Sequence, residues 1–548
     1  MSSANTTRAA ASTCARRLGR RIGRRGSLRR ADETQNPSPT GGSRGCVQSH
    51  VDASSRRAGG GSRQGQLPTG AKPTVRESAA ADMAPPPTRQ PRLARGTSPP
   101  GRSRLGLIVI GSLVTGLVLA LLLILVVFAG AGEHVITGAA MLAFALGWAM
   151  LAVLSMRRTD QPQRWAFVPA TCMAIVGAAL LLFAPGNGAL STASWVWPPL
   201  TLALAAWMGV QLRRTLAGRI RWLLYPVVAF LAVGAVGGMF ESAALARDQH
   251  TYAMPGTLYD VGGYRLHLNC TGSGSPTVVL QGGLGETSPM WSRITPAVGR
   301  STRVCAYDRA GQGWSDDAPH PQDGIEIAAD LHTLLGRAGE SGPYVLVGHS
   351  TGGTYAMTYA AQYPADVAGM VLLDSASPDQ FTVLPDYAGF YSTWRRVSAL
   401  LPSLGRLGVG QLLSSSAGST LPGPAGSQAR AFATSPRDMR SQRDEFSTYH
   451  EVFRQAQALT TLGGKPLVVV TATDGQQTGW AIAQDRLASL SSDTSHRLAH
   501  ATHAALLDGQ RGSETSVRAI HDVVTSVRTG SPLVTQWASL RSPAPTPA

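Results

Sequence analysis

The sequence predicts an α/β protein: a sheet of about eight mostly parallel strands carrying an inserted cap, preceded by an all-α membrane bundle and a disordered tail. Three observations predict it. After residue 258, short β-rich runs bounded by Gly and Pro alternate with helical segments, the pattern of strands and crossover helices in a mainly parallel sheet. Five long apolar runs occupy residues 105–240. Ahead of them the charge is strongly positive: of a formal +17 over 548 residues, residues 1–104 hold 20 Lys and Arg against 5 Asp and Glu.

Residues 1–104 are mainly Arg, Ser, Gly, Pro and Ala without aliphatic periodicity, so they cannot bury enough apolar surface to offset the entropy of ordering. The doublets Arg16-Arg17, Arg20-Arg21, Arg24-Arg25 and Arg29-Arg30 suit anionic lipid headgroups or a solvated leader, and Met83 is an alternative start. A secretory signal fits poorly, because the first apolar run begins more than a hundred residues in. The rest of the chain carries only +2, which argues against a nucleic-acid partner.

The membrane domain is expected over residues 105–242. Leu105 to Gly130 is 26 residues without a charge, enough to cross roughly 30 Å of hydrocarbon. Val135–Met156, Trp165–Pro185, Trp195–Leu212 and Trp222–Phe240 follow, and the fourth run is short and holds Pro198-Pro199. Arg157, Arg158 and Arg164 fill one link and Arg213, Arg214, Arg219 and Arg221 another, while the alternate links have no Lys or Arg. Basic links belong inside, so five spans place the N-terminus in the cytoplasm and the C-terminal domain outside; an even number would reverse this. No ionisable Asp, Glu, Lys or Arg lies within the five runs, the composition of an anchor rather than of a transporter.

The α/β domain is expected over residues 259–530, with residues 531–548 a second disordered tail. Its strands are Tyr264–Asn269, Thr277–Leu280, Arg303–Tyr307, Tyr344–Val347, Gly369–Leu373, Leu467–Thr471 and Ser495–Leu498, and residues 376–461 interrupt them as the cap. Tyr344–Val347 leads into Gly348-His349-Ser350-Thr351-Gly352 and then a helical stretch. A serine on a tight strand-to-helix turn flanked by glycines is a nucleophile elbow. Context is essential to that reading, since Gly41-Gly42-Ser43-Arg44-Gly45 has the same spacing without strand or helix.

These residues, with Gln281-Gly282-Gly283-Leu284-Gly285 and Asp308-Arg309-Ala310-Gly311-Gln312-Gly313-Trp314-Ser315, resemble the α/β-hydrolase fold family, serine-hydrolase branch, over about half the chain. Gln281 stands where that family often has His. The resemblance implies Ser350 as nucleophile and His503 as base, ahead of His496 and His500, with His349 beside the nucleophile excluded. Gly283 or Leu284, together with Thr351, would supply the oxyanion donors. The acid would be Asp374 or Asp474. A loop one residue shorter than usual after Pro466 leans toward Asp374, and both stay open. The family's second and fourth strands are antiparallel neighbours, which would bring Cys270 to Cys305 for a disulfide.

A serine at the elbow disfavours the haloalkane and epoxide chemistry of family members with Asp there, and favours acyl transfer to water. No Cys/His cluster has metal-ligand spacing and no Rossmann or P-loop pattern opens a helix, so no cofactor or metal is implied. The expected partners are a small-molecule or lipid-like acyl substrate and membrane lipid. A non-catalytic binding ectodomain with the same fold is the alternative.

Overall fold

In the computed structural model, residues 100–216, 218–413 and 420–533 are described. Residues 1–99 of the expected tail, Met83 among them, and the C-terminal segment after residue 533 lie outside them, whereas Pro100–Arg104 of that tail begin the first helix.

The apolar N-terminal region folds as α1 (Pro100–Leu122), α2 (Glu133–Arg158), α3 (Phe167–Phe183), the short α4 (Asn187–Ala193), α5 (Trp197–Thr215) and α6 (Tyr225–Thr251). Gly138 and Gly177 let α2 and α3 touch: a Cβ on either would press on the other's carbonyl, the close approach that small residues permit. Four stretches are long and apolar enough to cross a membrane: Arg104–Val127, Glu133–Arg158, Arg164–Phe183 and Gly218–Thr251. The predicted run Trp195–Leu212 is not among them. Its helix opens on Pro198-Pro199 and closes on Gln211, Arg213 and Arg214, which leaves too little continuous apolar length. The last helix also runs beyond the predicted Phe240 and takes in Glu241.

Two ends of this helical region are defined by contacts. At one, Thr215 Oγ1 at the end of α5 donates to Gln163 Oε1 at 3.0 Å in the α2–α3 link, and Trp165 lies 5.8 and 6.4 Å from the rings of Trp148 and Trp207. At the other, Arg406 pairs with Glu133 at 2.5 Å and donates to Asn187 Oδ1 at 3.0 Å and Ser194 Oγ at 3.4 Å. Thus α5 starts at the Arg406 end and finishes at the Gln163 end.

The C-terminal region is an eight-stranded sheet of β1 (Thr257–Asp260), β2 (Arg265–Thr271), β3 (Val278–Gln281), β4 (Val304–Tyr307), β5 (Tyr344–His349), β6 (Val367–Leu373), β7 (Leu467–Asp474) and β8 (Thr494–Thr502), in the order β1-β2-β4-β3-β5-β6-β7-β8. β2 is antiparallel to β1 and β4, and every other pairing is parallel. β3, β4 and β5 are buried throughout, which is why they read as unbroken apolar runs rather than alternating ones. The edge strand β1 is mostly exposed or half-buried and gave no such run.

Helices cover both faces. α7 (Thr295–Val298), α8 (Gly324–Arg337) and α9 (Gly352–Gln362) lie between strands of the first half. α8 begins with a capping box in which Asp323 accepts from the Glu326 N–H and Glu326 accepts from the Asp323 N–H. Between β6 and β7 the cap forms α10 (Gln380–Val383), α11 (Tyr387–Ser398), α12 (Leu401–Arg406), α13 (Val409–Leu413), α14 (Ala425–Thr434) and α15 (Pro436–Ala456). α16 (Trp480–Ala488) and α17 (Gln510–Thr529) complete the domain. One core layer joins Leu331, Leu334 and Leu335 of α8 to Met357 and Tyr359 of α9; the opposite layer joins Ile520, Val523 and Val524 of α17 to Val345 and Val347. Each such side chain contributes roughly 1.5–3 kcal/mol on burial. The sheet, crossover helices and elbow make this the α/β-hydrolase fold.

Candidate active site

β5 delivers Ser350 to a turn with φ +55°, a left-handed conformation that costs a non-glycine residue of order 1–3 kcal/mol. The flanking glycines answer steric demands. A Cβ on Gly348 would strike Gly353, one on Gly352 the Gln281 carbonyl, and one on Gly353 the Ser375 side chain. Backbone bonds hold the turn: the Ser350 N–H donates to the Leu373 carbonyl at 3.2 Å, and the Ala376 N–H to the Ser350 carbonyl at 2.9 Å.

Asp374, directly after β6, is the second strained residue, with φ +41°. Its carboxylate is buried and fully engaged. Oδ1 accepts from the Ala472 N–H at 3.1 Å and from Trp480 Nε1 at 2.7 Å, and Oδ2 meets His503 Nδ1 at 2.6 Å. His503 follows β8, and 46% of its side-chain surface is exposed. Asp474 ends β7 exposed, its carboxylate accepting from the Thr473 hydroxyl at 3.2 Å and not reaching His503. The structure brings Asp374, and not Asp474, to His503: the strand carries the Asp474 side chain to solvent. His496 is engaged by Thr471 and Asp485, and His500 by Thr473. Among the described residues no hydrogen bond joins Ser350 Oγ to His503. Such contacts are often long before substrate binds.

The loop after β3 abuts the nucleophile: a Cβ on Gly283 would lie 2.6 Å from Ser350 Cβ and 3.2 Å from its Oγ. The two alternatives for its oxyanion donor differ in their bonding. The Gly283 N–H is given to Glu286 Oε2 at 2.6 Å. The N–H groups of Leu284 and Thr351 have no protein acceptor among the described residues.

Sequence reasoning missed three supports of this site. Arg309, buried, donates to the carbonyls of Gly282 and Gly283 at 2.6 Å each and pairs with Glu445 of α15 at 2.6 Å. Burial opposes its charge, but Glu445 and the Tyr355 ring beneath it raise its pKa above the usual guanidinium value. Arg309 lies in the family-like stretch Asp308–Ser315, whereas nothing marked Glu445 on an amphipathic cap helix. Trp480 Nε1 and the Glu286–His349 pair are the others; an indole or a carboxylate in a loop carries no spacing signal.

Asp308 organises the neighbouring loop, accepting from the Ser288 N–H at 2.6 Å and the Trp314 N–H at 3.2 Å and meeting His267 Nδ1 at 2.8 Å. Burial works against protonation of His267, yet Asp308 raises its pKa above the ordinary value. An aromatic cluster from the cap and α9, with Tyr355, Tyr387, Phe446, Tyr449 and Phe453 buried together, packs against Leu284 of the loop after β3. A cavity of about 600 Å³ lies elsewhere, between α6 and the cap, and is lined by Trp195, Glu241, Trp314 and Phe432 but not by Ser350 or His503. Cys270 and Cys305 face one another across β2 and β4 and are joined by a disulfide.

Residues 276–510 match the family model described as alpha/beta hydrolase fold. Among curated proteins, an uncharacterized protein of Schizosaccharomyces pombe is 37% identical over 154 residues, 22% of this chain and 29% of its own length. The uncharacterized protein YbdG of Bacillus subtilis is 28% identical over 128 residues, 23% of this chain and 39% of its own. The chain thus spans well under half the length of either relative. Among solved structures, the Cif epoxide hydrolase of Acinetobacter nosocomialis superposes with a TM-score of 0.43 at 18% identity, covering 52% of this chain and 95% of that one.

Proposed function

We propose that the protein is a membrane-anchored serine hydrolase that cleaves a carboxylic ester or related acyl bond through an acyl-enzyme. The observation that carries the reading is the short His503–Asp374 contact, 2.6 Å, made by residues that follow the parallel strands β8 and β6 while the strained Ser350 follows the parallel strand β5. In the reaction, Ser350 Oγ bonds to the acyl carbon as its proton passes to His503 Nε2. Asp374 holds the Nδ1–H tautomer and stabilises the imidazolium. The carbonyl oxygen takes up the negative charge facing the Leu284 and Thr351 N–H groups, a kind of contact worth roughly 10²–10³ in rate per donor. Collapse expels the alcohol, which leaves with the proton from His503. Water, deprotonated by His503, then attacks the acyl-enzyme, releasing the acid and restoring Ser350.

The helical region serves as the anchor in this reading, with the catalytic domain outside the cell membrane and the N-terminus in the cytoplasm. Supporting this, both Arg-bearing links belong to the Gln163–Thr215 end and the catalytic domain to the Arg406 end, so α5 bridges the two ends although its composition is less apolar than its neighbours'. Basic links favour the cytoplasmic side.

A fluorophosphonate probe tests the function. The full-length protein in detergent is expected to label on the peptide bearing Ser350, and S350A to remain unlabelled. An unlabelled wild-type protein would replace the enzyme with a binding ectodomain.

A further inference from the structure

We infer that Glu286 and His349 form a positioning strut that runs beneath the nucleophile and ties the oxyanion loop to the loop carrying His503. This rests on the serine-hydrolase reading. The strut is a continuous chain of three contacts. The Gly283 N–H donates to Glu286 Oε2 at 2.6 Å; Glu286 Oε1 meets His349 Nδ1 at 2.6 Å; and His349 Nε2–H donates to the His503 carbonyl at 3.0 Å. The His349 side chain is wholly buried and that of Glu286 14% exposed, so water does not substitute for these bonds.

Proton counting fixes the chemistry of the chain. A backbone carbonyl only accepts, so Nε2 carries a hydrogen. A second proton lies between Nδ1 and the carboxylate, which gives an imidazolium–carboxylate pair. Burial alone would push the Glu286 carboxyl up, but the imidazolium and the Gly283 N–H hold it below its ordinary value. Burial alone would lower His349, and Glu286 raises it instead.

The arrangement has a purpose beyond filling space. His503 is about half exposed and sits in a loop, with Asp374 binding its ring and His349 its carbonyl; the His349 ring also lies 4.5 Å from the His503 ring. On the other side, Glu286 and Arg309 hold the N–H and carbonyl of Gly283. With that residue pinned at both polar atoms, Leu284 is left to present its free N–H. Neither Glu286 nor His349 reaches the reacting atoms, so both are positioning residues. A misplacement of about 1 Å at such a site costs on the order of 10²-fold in rate.

Glu286→Ala and Glu286→Gln test the strut in the full-length chain. The Gln side chain can accept from Gly283 N–H and donate to Nδ1 of a neutral His349, keeping all three contacts without the charge. The rate of fluorophosphonate labelling at Ser350 is expected to fall about 10²-fold in E286A and to be largely restored in E286Q. Hydrogen exchange at the Gly283 amide is a second readout, independent of turnover and of whether Ser350 reacts: it is expected to be slow in wild type and E286Q and fast in E286A. Wild-type labelling in E286A overturns the strut, as does fast Gly283 exchange in the wild-type protein. If wild-type protein does not label while Gly283 exchange follows the expected pattern, the hydrolase reading fails and the strut stands. Should E286A not fold, fast exchange at Gly283 in E286Q with wild-type melting would overturn the strut equally.

Discussion

Replacing Asp374 by Asn probes the candidate triad at the atom level. The carboxylate takes three partners: Ala472 N–H and Trp480 Nε1–H on Oδ1, and His503 Nδ1 on Oδ2. An Asn can keep both Oδ1 bonds, so the fold should tolerate it. Its NH₂ group then faces His503 and donates to Nδ1, which forces the imidazole proton onto Nε2 and abolishes the base. A wrong tautomer in this kind of triad costs on the order of 10⁴ in rate, or about 5.4 kcal/mol at 1.36 kcal/mol per tenfold. The second-order rate of fluorophosphonate labelling at Ser350 measures it without knowledge of the substrate. D474N is the control: its carboxylate is exposed and bonded to Thr473, so labelling should stay within about threefold, the scale of a surface change. A D474N protein with the large loss beside a fully reactive D374N would refute the assignment.

Trp480→Phe removes one donor from a buried carboxylate; a hydrogen bond to a charged group is worth about 1.5–3 kcal/mol, so labelling should drop roughly 10- to 100-fold with His503 still in place. Cys270 and Cys305 are 35 residues apart, and opening a loop of that size by double Ser substitution should cost about 3–4 kcal/mol, read as a lowered denaturant midpoint. Arg309→Met leaves Glu445 buried without its cation and should cost about 3–5 kcal/mol, whereas joint replacement of both by apolar residues should recover much of it. Stability should also depend on the Glu286–His349 pair. His349, raised above its ordinary 6.5, contributes fully below that pH and loses its contribution as pH rises through the folded value. Glu286, lowered from 4.5, contributes above that pH and loses it as pH falls through the folded value. Melting temperature should therefore peak between about pH 4.5 and 6.5 on this account, and E286Q should flatten both flanks. Reporter fusions at Asp160 and Asn187 should report opposite sides of the membrane; the same side would break the five-crossing topology.

The elbow was legible because it is local: a strand, two glycines around a serine, and a helix, all within residues 344–362. Strands buried on both faces were legible for the same reason, as continuous apolar runs such as Tyr344–Val347 within β5. His503 was legible as the candidate base through chain order, since it follows the last strand. What remained undecided depended on contacts across long separations. The choice between Asp374 and Asp474 turns on where two neighbouring parallel strands end, and the separation of Asp374 from His503 is 129 residues. The choice between Gly283 and Leu284 as candidate oxyanion donor stayed open because Gly283 N–H is claimed by Glu286, three residues on, and a carboxylate in a loop does not announce its partner. Arg309 and Glu445 lie 136 residues apart and meet only because the cap folds back over the sheet. The fourth apolar run, Trp195–Leu212, makes a helix less apolar than its neighbours because α5 extends to Arg213-Arg214, just beyond the run that suggested it.

The most direct measurement of the central claim is intact-mass spectrometry of the full-length protein quenched within seconds of mixing with a p-nitrophenyl ester. An acyl-enzyme predicts a transient mass increase equal to the acyl group, mapped to Ser350, lost on longer incubation and missing in S350A. Release of p-nitrophenol with no adduct, or an adduct on another residue that S350A retains, would contradict it.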